Sequence, residues 1–133
     1  MRHLIFKVFI FVLVFLAASP GRQEAYEINK NAVVLLAVKD PEGKVFSTGT
    51  GFIVDPSGIL ITNYHVLVDA AEVDVVFRDG TRTTVKGILK IDRIKDFAVL
   101  KLEDKAYSTL ELGNSSQLLE FDYTSALGYL SED

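Results

Sequence analysis

The sequence predicts an all-β fold. Three observations carry that prediction: short runs rich in Val, Ile, Leu and Phe, turn signals built from Asp, Pro and Gly between them, and the close spacing at which the two alternate. Such a rhythm suits a sandwich or a closed barrel.

Ala32–Lys39 (AVVLLAVK) opens the set as a β-branched, apolar strand, and Asp40-Pro41-Glu42-Gly43 ends it. Proline presets the turn there and glycine permits a positive φ. Val45–Val54 is the second strand, with Gly49 and Gly51 expected as bulge positions that let it bend. Asp55-Pro56-Ser57-Gly58 repeats the turn chemistry, and Ile59–Thr62 is a short buried strand. His65–Ala71 breaks the pattern and is expected as a helical turn capped by Asn63 or Thr62. Glu72–Phe77 then alternates outward Glu72 and Asp74 with inward Val73, Val75 and Phe77, and Asp79-Gly80 is a hairpin signal. Thr83–Ile91 and Phe97–Leu102 bring the expected strands to six. Ala106–Leu112 reads as a connector, and Asp122–Leu127 as one more strand.

The first 25 residues read differently. Arg2 and Lys7 precede eleven uninterrupted apolar residues, Val8 to Ala18, and Ser19-Pro20-Gly21 follows. That is the pattern of a cleaved secretory signal peptide, since a membrane span needs about 20 apolar residues. The expected location is secreted or periplasmic, with a tether through an uncleaved leader as the alternative. Removing residues 1–25 leaves 11 positive and 17 negative charges, a net −6, and His65 as the one remaining histidine. Such a balance argues against nucleic acid as a partner, which requires a basic face. With no cysteine and one histidine after export, the chain offers no disulfide framework, no metal site and no cysteine nucleophile. Nor does any feature call for a cofactor.

Two segments carry chemistry: residues 49–67 (GTGFIVDPSGILITNYHVL) and residues 96–102 (DFAVLKL). The first resembles the segment around the catalytic histidine of trypsin-like serine proteases, above all the HtrA-type branch. The second resembles the segment that opens with the family's catalytic aspartate. Residues 112–129 (LGNSSQLLEFDYTSALGY) resemble the start of that family's second barrel. The resemblance implies the N-terminal six-stranded barrel of a chymotrypsin-like double β-barrel, with the first strand of the second. It divides the chain into a leader (1–25), a protease barrel (26–105), and a connector with the start of a truncated second barrel (106–133).

The resemblance also implies roles. His65 is the general base of a serine endopeptidase and Asp96 its orienter, with Asp92 as a rival carboxylate. Imidazole suits the task because its ordinary pKa lies near 6.5, and a carboxylate on its other nitrogen fixes the tautomer. The implied partner is a polypeptide substrate, and the second barrel is expected in cis. None of the eight serines has the glycine-flanked setting of the family's nucleophile. Because the chain runs past the connector into a strand of the next barrel, it is expected to be an inactive fragment of a longer protease. The rival expectation is a non-catalytic secreted β-barrel that binds a partner, a pseudoprotease half.

Overall fold

The computed structural model describes residues 30–124 and 126–129. The expected leader, residues 1–25, lies outside them. Seven strands form one antiparallel sheet: β1 (Val33–Lys39), β2 (Val45–Asp55), β3 (Ile59–Thr62), β4 (Glu72–Val76), β5 (Arg82–Thr84), β6 (Gly87–Asp92) and β7 (Phe97–Lys101). Their order across the sheet is β5-β4-β1-β2-β3-β7-β6.

Alternation decides what each strand buries. Val34, Leu36 and Val38 of β1 point into one core with Ile53, Leu60, Val73, Val75, Ala98 and Leu100. Outward Asp74 is nonetheless covered. Lys39 Nζ lies 2.7 Å from its Oδ2, and Thr84 Oγ1 donates to its Oδ1 at 3.2 Å. Hydrogen bonds that Lys39 donates to Asp74 and then to Glu72 hold its pKa above the ordinary value.

The turns form through their aspartates. Asp55 Oδ1 accepts from Ser57 N–H at 2.8 Å and Ser57 Oγ at 2.6 Å, and Asp79 Oδ1 accepts from Thr81 N–H and Oγ1 at 2.9 and 2.6 Å. Gly58 has φ +90° beneath the ring of Tyr107, where a side chain would be strained and crowded at once.

The expected single strand Thr83–Ile91 is two strands, so the sheet has seven segments rather than six. At the break, Val85 N–H donates to Val73 O at 3.0 Å, and Lys86 N–H donates to Lys101 O at 2.8 Å. The two marginal strands are thus consecutive in the chain. The chain crosses from one margin of the curled sheet to the other through Val85 and Lys86, the geometry of a barrel portion.

Two further expectations change. Gly49 and Gly51 are not bulges: they pair in unbroken register with Leu36 and Val34. Their missing side chains make room, since a Cβ at Gly49 would lie 2.5 Å from Val66 Cγ1 and one at Gly51 would lie 2.9 Å from Leu60 Cδ2. Among the described residues of 122–129 no strand forms. That segment finds no ladder; Tyr129 instead meets β2 through its N–H, which donates to Thr50 Oγ1 at 2.9 Å.

Candidate active site

The β3–β7 ladder builds the site. Thr62 pairs with Ala98 at its end. Just beyond, the chain leaving β3 carries Asn63, Tyr64 and His65, and the chain arriving at β7 carries Asp96 and Phe97. Residues 31 apart in sequence are therefore brought side by side.

His65 lies on a 3-10 turn, Tyr64–Leu67, shorter than the helical turn expected. Two contacts fix that turn. Thr62 Oγ1 donates to Thr50 O at 2.8 Å, and Val66 packs into the space left by Gly49. Asn63 occupies the N-cap position but makes no side-chain capping bond. Its Nδ2 donates instead to Asp96 O at 3.1 Å and to Asp96 Oδ2 at 3.3 Å.

Asp96 ends the β6–β7 turn in the left-handed region, at φ +52°, which aspartate tolerates better than most residues. Its Oδ1 accepts the backbone N–H of His65 at 2.9 Å, and its Oδ2 lies 2.6 Å from His65 Nδ1. The imidazole hydrogen bond, followed by the His65 backbone bond, holds the Asp96 carboxyl below its ordinary pKa. An ionised carboxylate only accepts hydrogen bonds, so neutral His65 carries its proton on Nδ1. The Nε2 lone pair is then available on a side chain that is 70% exposed. Such a pair can take a proton at Nε2 while the carboxylate stabilises the resulting imidazolium.

Asp92, the rival carboxylate, serves elsewhere. Its Oδ1 accepts Lys95 N–H at 2.9 Å and so shapes the turn that delivers Asp96. The contacts of Asn63 with Asp96 were missed from sequence. The signal was its place two residues before the histidine, which read equally well as a cap. A cavity of about 600 Å³ lies between residues 77–83 and 105–108, lined by neither His65 nor Asp96. The pair stands on an open face, and among the described residues no cluster of three or more His, Asp or Glu could hold a metal ion.

A family model described as "Trypsin-like peptidase domain" matches residues 49–133, more than half of the chain. The chain belongs to the trypsin-like peptidase family. Among its relatives, the "Probable periplasmic serine endoprotease DegP-like" of Chlamydia muridarum is 40% identical over 88 residues, covering 66% of this chain and 18% of that protein. The "Putative serine protease HhoA" of Synechocystis is 40% identical over 89 residues, covering 65% of this chain and 22% of that one. A solved structure titled "HtrA-type protease AlgW with tripeptide" superposes with a TM-score of 0.64 at 30% identity, covering 71% of this chain and 30% of that one. This trypsin-like chain thus spans about a fifth of the length of the curated relatives it matches. No helix among its described residues is long and apolar enough to cross a membrane.

Proposed function

We propose that this chain carries the base and its orienter for a serine endopeptidase acting on polypeptides outside the cytoplasm. The supporting observation is the doubly bonded pair, with Asp96 Oδ1 on the His65 backbone N–H and Asp96 Oδ2 2.6 Å from its Nδ1. In this reading Nε2 of His65 removes the proton of a serine hydroxyl as the oxygen attacks the peptide carbonyl carbon. It then delivers that proton to the leaving amine. Asp96 stays ionised throughout. Residues 26–105 form the protease barrel and 106–133 lead toward a second barrel, which supplies the serine and the backbone donors for the oxyanion. The extracytoplasmic setting follows the leader pattern of residues 1–25 and the relatives named as periplasmic.

Two measurements test this. The 133-residue chain alone is expected to show no cleavage of casein. The gene downstream of the Asp133 codon is expected to continue in frame to a glycine-flanked serine. In that longer product, His65→Ala lowers kcat on the order of 10⁶-fold. Casein cleavage by the 133-residue chain, or full activity of the longer His65→Ala variant, contradicts the proposal.

A further inference from the structure

The dyad's two halves arrive on separate turns, and hydrogen bonds to Asp96 are not all that joins them. Arg93 lies three residues before Asp96, on the β6–β7 turn. Its guanidinium carbon stands 5.3 Å from the centroid of the Tyr64 ring, and Tyr64 is the residue immediately before His65. A guanidinium is weakly hydrated and planar, so it can rest on an aromatic face while still exposed to water.

The geometry points to Arg93 and Tyr64 as positioning residues: their contact is an outer clasp that holds the Asp96 turn against the His65 turn. This rests on reading His65 and Asp96 as base and orienter. Beyond the last ladder pair, Thr62–Ala98, the hydrogen bonds between the two turns among the described residues run from His65 and Asn63, and all of them end on this single, left-handed residue. With the ladder fixing one side, the part of the turn beyond Asp96 can still pivot about that residue. A second attachment three residues away removes that freedom, because two separated points fix an orientation where one does not. Within its own turn, the Asp92–Lys95 bond stiffens the backbone between the two points. Arg93 and Tyr64 touch no reacting atom in this scheme and act only by keeping the carboxylate aimed at Nδ1.

Hydrogen exchange at the His65 backbone amide, which donates to Asp96 Oδ1, reads this joint directly. In the full 133-residue chain, Arg93→Ala and Tyr64→Leu are each expected to speed that exchange about two- to fivefold. Amides of the β3–β7 ladder and the thermal midpoint stay as in the parent, and Tyr64→Phe, which keeps the ring, exchanges as the parent does. The double variant opens no further than the worse single one, as partners in one contact should. Arg93 is exposed on a turn, so its variant decides the matter even if Tyr64→Leu fails to fold. Unchanged His65 exchange in Arg93→Ala, or effects that multiply in the double variant, overturns the clasp. The readout needs no catalysis. A clasp confirmed beside an inactive longer product therefore sinks only the enzymatic reading, and unaltered exchange beside a working protease sinks only the clasp.

Discussion

The barrel and the stretch that follows it are built from similar residues and behave in opposite ways. Between Val33 and Leu102 the strands send apolar side chains into one core, where Leu36, Ile53, Leu60 and Leu100 are almost fully buried, while Ile88, Leu89 and Ile91 of marginal β6 stay exposed. From residue 112 onward, Leu118, Leu119, Phe121 and Tyr123 are no less apolar, yet Phe121 is 91% and Tyr123 87% exposed. What separates them is pairing. Each barrel strand has a neighbour to take its N–H and C=O groups, and all but β6 also bury side chains. Among its described residues the later segment meets the barrel through bonds such as Tyr129 N–H to Thr50 Oγ1 at 2.9 Å. β-propensity is a preference for a surface supplied by others, and it does not make a strand alone.

If that contrast is sound, substitution should separate the two regions sharply. Leu36→Ala or Leu60→Ala is expected to cost about 2–5 kcal/mol by cavity formation, measured by urea unfolding. Leu119→Ala should stay within about 0.5 kcal/mol of the parent. A comparable loss from Leu119→Ala would break the comparison.

A smaller effect sharpens it at the edge of the site. Gly49→Ala should destabilise by about 1–3 kcal/mol, because its methyl meets Val66. Val66→Ala in the same chain should recover part of that loss, whereas a bulge glycine would show no such rescue.

The mildest expected effect is a dependence on pH. Asp55, Asp79, Asp96 and Glu103 all have pKa values below their ordinary ones, through hydrogen bonds from Ser57, Thr81, His65 and Lys86 respectively. Groups whose folded pKa is depressed contribute stability above the unfolded value and lose it as pH falls through the folded one. The thermal midpoint should accordingly hold steady at neutral pH and decline below about pH 4. Asp96→Asn should make that decline shallower, and substitutions in residues 112–124 should leave it unaltered.

Much of the barrel was legible because alternation and turn chemistry are local. Ile59–Thr62 was read without error, and the other strands around the core to within one residue at each end. The division of Thr83–Ile91 was not legible. Its residues are good strand formers throughout, and the bend at Val85 and Lys86 arises from the need to pass from β4 to β7. Gly49 and Gly51 were misread for a related reason, since no local pattern tells a glycine which side chain will press on it. Asp122–Leu127 carried the composition of a strand without the neighbour that would make it one. At the site, His65 and Asp96 were legible through the resemblance of their flanking motifs, because a separation of 31 residues by itself implies no contact. Asn63 was read as a cap, Tyr64 as part of the histidine motif, and Arg93 as a turn residue, so their contacts across the two turns were not legible. Their parts depend on two turns meeting at the end of one ladder.

With Asp96 Oδ2 held 2.6 Å from Nδ1, neutral His65 keeps Nε2 free to accept a proton. Nitrogen-15 NMR of the imidazole reads this directly, above the pH at which free histidine titrates. The account predicts the Nδ1–H form for His65 in the parent chain, and its loss in Asp96→Asn, whose amide can donate as well as accept. A His65 ring protonated on Nε2 in the parent, or the same ring form in both chains, would contradict it.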